Sequence, residues 1–127
     1  MEYLIDTNVA LWSLAAPSRL SPGTRAVLED TEHTILFSSI SVVEFELKRE
    51  RLFAEYDSLA AEFPRQLSAL GFTATAFAAT DAVGLGAVRP NRDPFDRMLC
   101  SQAMARGLTL ITADRELLRY APVKTLW

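Results

Sequence analysis

The chain has 127 residues, half of them hydrophobic, with 13 basic against 16 acidic side chains and a net charge of −3. That length suits one domain with a substantial core, and ordinary glycine and proline contents exclude disordered and fibrous classes. No apolar run approaches the roughly 20 residues that cross a bilayer, and MEYLID lacks the basic segment of a secretory leader, so a soluble, cytoplasmic protein without a membrane partner is expected.

YLID (3–6) reads as a short apolar strand ending on Asp6, and Thr7-Asn8 opens a helical stretch, VALWSLA. Ser21-Pro22 is an N-cap followed by a first-turn proline and predicts a helix to about Glu29. HTILFS (33–38) is a β-branched and aromatic strand. The pattern turns helical from Ile40 to Leu52 and again over 57–70, with Pro64 as a break or restart and Gly71 as the stop. FTATAF (72–77) alternates like a strand, and a short helix is expected over Asp81–Val88. Asp93-Pro94 opens a helix that Gly107 closes; LTLIT (108–112) is a strand, Asp114–Tyr120 a short helix, and VKTLW a last strand. Strands alternating with helices along 1–127 imply an α/β fold: a central parallel sheet of four to five strands with helices on both faces.

Catalysis by histidine or thiol finds little support. Cys100 is the only cysteine and reads as a small buried apolar residue; His33, the only histidine, lies in the polar stretch EDTEH. Of the 13 basic residues only Lys48 and Lys124 are lysines, leaving 11 arginines, a side chain suited to bidentate phosphate contacts but also a common compositional habit.

Acids are better placed. In open α/β sheets function gathers at the carboxyl ends of the strands. Asp6 and Asp114 end or follow strands, Glu44 is on the helix after HTILFS, and Asp93 and Asp96 begin a later helix. Each also has a structural reading: Asp6 and Asp114 as caps, Ser41 and Glu44 as a capping box, Asp93 as N-cap with Asp96 in the favourable first turn. Helical geometry separates the last two. At about 100° per residue Asp96 shares a row with Cys100, Ala103 and Gly107, the small residues that let a helix approach a sheet, so it faces inward. Glu44 shows a weaker version, with Ile40 and Leu47 as row neighbours. Inward acids at one sheet edge would repel one another, and a hard divalent cation is one remedy.

Asp6-Thr7-Asn8 after the first strand, Glu44 in ISVVEFELK, and RDPFDRMLCSQAMARGLTLITAD together resemble the PIN domain, and most of all its VapC-type toxins from bacterial toxin–antitoxin pairs. The resemblance covers essentially the whole chain. It implies an endoribonuclease that uses Mg²⁺ or Mn²⁺, with Asp6, Glu44, Asp96 and Asp114 as the metal-holding catalytic acids and Asp93 as a further candidate. It implies supporting roles for Thr7, Asn8 and Thr112. The subgroup motif often begins with histidine where this chain has Asn91. Arg89, Arg92 and Arg97 lie near the acids in sequence as phosphate-binding candidates, although Arg97 also suits a surface pair with Asp93. The family further implies an RNA substrate, a small cognate antitoxin and a homodimer; the nearly uncharged stretch 67–88 is either core or a docking surface. Two alternatives stand beside this reading. One is a PIN fold without activity that only binds RNA or protein. The other is a receiver-type signalling domain, which wants an acidic pair where Asp6 is followed by Thr-Asn.

Overall fold

The computed structural model describes residues 1–59, 62–88 and 93–127. Strand β1 (Glu2–Ile5) pairs in parallel with β2 (Thr34–Ser38) on one side and β4 (Thr109–Ile111) on the other. β3 (Thr73–Thr75) flanks β2 and β5 (Thr125–Leu126) flanks β4, so the sheet is five-stranded, parallel throughout, with order β3-β2-β1-β4-β5. Ile5 is level with both Phe37 and Ile111. The chain therefore leaves these three strands side by side, at Asp6, Ser38 and Thr112. The strand order reverses between β1 and β4, which makes that edge a topological switch point. A receiver domain has the order 2-1-3-4-5, so the topology excludes that alternative.

Alternation along the strands feeds two cores. Tyr3, Ile5, Ile35, Phe37 and Ile111 pack under α1 (Thr7–Ala15), α2 (Pro22–Glu29), α3 (Ser39–Lys48) and α4 (Phe63–Ala69). Leu4 and Leu110 point the other way, to Leu99, Cys100 and Ala103 of α5 (Pro94–Arg106) and Leu117 of α6 (Arg115–Tyr120). Burial on both faces is why these strands read as apolar runs. Gly107 ends α5 at φ +64, the left-handed conformation that suits glycine. Among the described residues no helix is long and apolar enough to cross a membrane.

Three expected helices differ. The one expected over Ile40–Leu52 stops at Lys48, where the run KRER offers no apolar positions to pack and the amides of Leu52 and Phe53 turn back to the Lys48 carbonyl. The one expected over 57–70 is a 3-10 turn (Ala54–Leu59) followed by α4, restarted with Pro64 in its first turn. The one expected over Asp81–Val88 is two 3-10 turns, Ala79–Ala82 and Leu85–Ala87, around Gly84, whose backbone freedom disfavours a continuous helix. The capping box at Ser41 is also corrected. Ser38 caps α3 by accepting from the Ile40 amide at 3.1 Å, which leaves Ser41 and Glu44 inside the helix.

Candidate acidic active site

Four helices begin at the carboxyl edge of the sheet, and their first turns carry or surround the acids. Asp6 caps α1 through Oδ1, which accepts from the Val9 amide at 2.8 Å. Asp93 caps α5 through Oδ1, accepting from Phe95 at 2.8 Å and Asp96 at 3.2 Å. Asp114 caps α6, accepting from Leu117 at 2.9 Å. The structural reading of these three aspartates is thus correct, and it does not displace the functional one. A cap occupies one carboxylate oxygen and leaves the other to turn into the crevice. Asp6 Oδ2 accepts from Thr112 Oγ1 at 2.6 Å, and Asp93 Oδ2 lies 3.3 Å from Lys48 Nζ.

Glu44 and Asp96 are not caps. Glu44 is 6% exposed, and its Oε1 accepts from Thr7 Oγ1 at 2.5 Å; Ser41 Oγ is 3.0 Å from the same hydroxyl. Its row neighbour Ile40 is buried, whereas Leu47 is 70% exposed, so the inward row ends at the glutamate. Asp96 is half-buried, on the helical row of the buried Cys100 and Ala103. Burial pushes its pKa up to about 7, reinforced by the charges of Asp93, Asp6, Glu44 and Asp114. Burial likewise lifts Asp6 to about 6 against the hydrogen bonds from Thr112 and Val9, with Glu44 and Asp114 adding repulsion. Each of the other acids expected at the site is therefore within electrostatic reach of Asp96.

The sequence reading missed Lys48. Its ammonium is 2.8 Å from Glu44 Oε2 as well as 3.3 Å from Asp93 Oδ2. Partial burial lowers its pKa, but the bonds and charges of Glu44 and Asp93 prevail and hold it above the ordinary value. The i,i+4 spacing of Glu44 and Lys48 was the available signal; the contact with Asp93 had none. Of the remaining expected residues, Asn8 is exposed. The Arg97 Nη2 donates to the Leu85 carbonyl at 3.0 Å. Arg89 and Arg92 lie outside the described residues, as does Asn91. A cavity of about 490 Å³ sits at the opposite end of the sheet, beside His33, Ile35 and Phe72, away from every one of these acids.

The donor set suits a hard divalent cation. Its carboxylate oxygens are the right ligand type, and the buried Asp6 and half-buried Asp96 repel one another and their neighbours in a way that such an ion would relieve. Among the described residues no three acidic, histidine or cysteine side chains form a closed ligand group.

Fold and site together define a parallel α/β domain with an acidic crevice at its switch point. The chain belongs to the PIN domain family, whose model matches residues 3–122 and so confirms the resemblance seen in the motifs. Solved structures with the same fold include VapBC2 from Rickettsia felis bound to a DNA fragment from their promoter, at 18% identity over 99% of this chain and 98% of that one with a TM-score of 0.71. DNA-bound VapBC from Salmonella typhimurium matches at 18% identity over 99% and 97%, with a TM-score of 0.69. FitAcB from Neisseria gonorrhoeae matches at 23% identity over 100% and 97%, with a TM-score of 0.63. None of the curated proteins compared with the chain matches it.

Proposed function

We propose that this chain is a VapC-type toxin: a metal-dependent endoribonuclease that hydrolyses RNA phosphodiester bonds and is restrained by a small cognate antitoxin. The observation that carries this is the pair of Asp6, buried, and Asp96, half-buried, at the switch point, where they repel one another and are raised to pKa values of about 6 and about 7. Opposing these two carboxylates costs the folded state electrostatic energy that the capping role of Asp6 does not require, and strongly perturbed acids in a crevice are candidates for functional sites. The VapBC and FitAcB neighbours support a toxin-like role with a protein partner.

Asp6, Glu44, Asp96 and Asp114 would hold Mg²⁺ or Mn²⁺, with Asp93 at the margin. When bound, the ion supplies Lewis-acid polarisation of the phosphate and a water of lowered pKa. The chain's own residues do the positioning. Thr112 fixes the Asp6 carboxylate, and Thr7 fixes that of Glu44. The N-termini of α1, α5 and α6, capped by Asp6, Asp93 and Asp114, add partial positive charge that favours anions at this edge. Arg97, with Arg89 and Arg92, is the candidate grip on flanking phosphates.

The test is RNA cleavage by the purified chain in Mg²⁺ against chelator, with Asp96→Asn beside it. Cleavage should require the metal, and the variant should lose about a hundredfold or more, since even residues that merely support metal ligands are worth 10–100-fold. Equal cleavage by both proteins, or cleavage in chelator, would sink the reading.

A further inference from the structure

Lys48 ends α3 and Asp93 caps α5, 45 residues apart in sequence. Its ammonium bridges them, 2.8 Å from Glu44 Oε2 and 3.3 Å from Asp93 Oδ2, and lies 4.9 Å from the centroid of the Phe95 ring. An ordinary i,i+4 pair on a helix surface has one partner and a solvated head. This one has two carboxylates, an aromatic face, and a Glu44 side chain that is only 8% exposed. Both Glu44 oxygens are taken, Oε1 by the Thr7 hydroxyl and Oε2 by the ammonium.

We propose that Lys48 is the resident cation of the acidic site: a positioning residue that balances Glu44 and Asp93 before a divalent ion arrives, ties α3 to the start of α5, and competes with that ion for their oxygens. The competition rests on the metal-dependent reading above; the tie between the helices does not. Two effects oppose each other when the ion binds. Ordering Glu44 favours binding, while a fixed positive charge beside the site repels a double one. Repulsion between a unit and a double charge in a partly buried site outweighs the ordering of one side chain. Lys48 thereby holds metal affinity down, and its loss should raise it.

The experiment compares Lys48→Met and Lys48→Arg with wild type in the full chain, reading Mn²⁺ affinity by electron paramagnetic resonance and thermal unfolding in chelator. Lys48→Met should bind Mn²⁺ about tenfold or more tighter, and Lys48→Arg, which keeps the charge, should stay within about threefold of wild type. In chelator Lys48→Met should melt lower by roughly 3–6 °C, a deficit that Mn²⁺ largely restores. Unchanged or weaker Mn²⁺ affinity in Lys48→Met overturns the competition. If neither wild type nor variant binds Mn²⁺, the metal-dependent reading fails, and a double-mutant cycle of Lys48→Met with Asp93→Asn in chelator decides the tie alone. Asparagine still caps α5, so additive melting shifts overturn the tie and a clear coupling supports it.

Discussion

Thr112 Oγ1 donates to Asp6 Oδ2 at 2.6 Å, joining two residues 106 positions apart across the gap where the strand order reverses. With Oδ1 held by the Val9 amide, Asp6 has both oxygens engaged and a single orientation. The same Thr112 hydroxyl accepts from the Asp114 amide at 3.0 Å, so one buried side chain aligns two of the acids. Thr112→Val keeps the shape and deletes these bonds. It should lower stability by about 1–3 kcal/mol, the usual penalty for stranding buried polar groups. The lost bond also lowers the Asp6 pKa at present, so the variant's Asp6 should titrate above about 6 and its Mn²⁺ binding should require higher pH. Thr112→Ser should restore both. Denaturant titration and a pH series of Mn²⁺ binding provide the check; a variant with an unshifted binding profile contradicts the role given to Thr112.

The raised pKa values make a signed prediction for stability. Asp96 moves from 3.8 to about 7 on folding and Asp6 from 3.8 to about 6. Between those limits the folded state holds more protons than the unfolded one, so each group's contribution is fully present below about pH 4 and is lost as pH rises toward 7. Asp96→Asn removes its share of the loss. In chelator the variant and wild type should be similarly stable near pH 4, and by pH 8 the variant should be more stable, by on the order of 2–4 kcal/mol. Saturating Mg²⁺ should shrink that gap by stabilising wild type. Urea titrations at several pH values measure it, and a gap independent of pH would show that Asp96 is not desolvated as described.

A second buried acid tests the opposite case. Asp81 is 1% exposed, and Arg106 grips it through Nε at 3.0 Å and Nη2 at 2.7 Å while also donating to the Ala76 carbonyl. The hydrogen bonds from Arg106 hold the Asp81 carboxyl below the usual range despite its burial. This is a strut that pins the Ala79–Ala82 turn to α5, aided by the bond from Ser101 to the Asp81 carbonyl. Arg106→Met should cost about 2–4 kcal/mol, because it strands a buried charge. Mn²⁺ affinity should stay within about twofold of wild type, since the strut lies outside the acid cluster and contributions of well-separated sites add. A large change in affinity with little loss of stability would move Asp81 from scaffold to site.

Helical periodicity reached Asp96 because its row neighbours, Cys100 and Ala103, are small and buried, so the half-buried acid lies on the face that meets the sheet, beside Asp6 and Glu44. Asp93 and Asp114 were equally legible as caps, since capping is local chemistry. Two kinds of feature were not. The end of α3 misled because KRER keeps helical propensity while losing anything to pack against, and tertiary packing decides where such helices stop. Lys48 was invisible because its second partner lies on another helix, and no spacing rule spans that distance. The stretch 67–88 divides in a way composition could not foresee: Leu67 and Phe72 are core, while Val83 is 85% exposed.

Cys100 gives a reporter for the same helix. It is fully buried between Leu99 and Ala103, and burial, with a contribution from Asp96, pushes its thiol up to about 11. At pH 8 only about one thiol in a thousand would be the reactive thiolate, even were it accessible. A disulfide exchange reagent should therefore leave the native protein unlabelled until α5 comes away from the sheet, and labelling should track that opening. Because α5 carries both Asp93 and Asp96, an ion that binds only the closed state should slow labelling by the factor 1 + [L]/Kd. Adding Mg²⁺ at ten times its Kd should thus slow labelling by about elevenfold, and Asp96→Asn should abolish the effect. Rapid stoichiometric labelling in native buffer would mean that α5 is not packed as described, and labelling insensitive to Mg²⁺ in wild type would separate the acids from the metal.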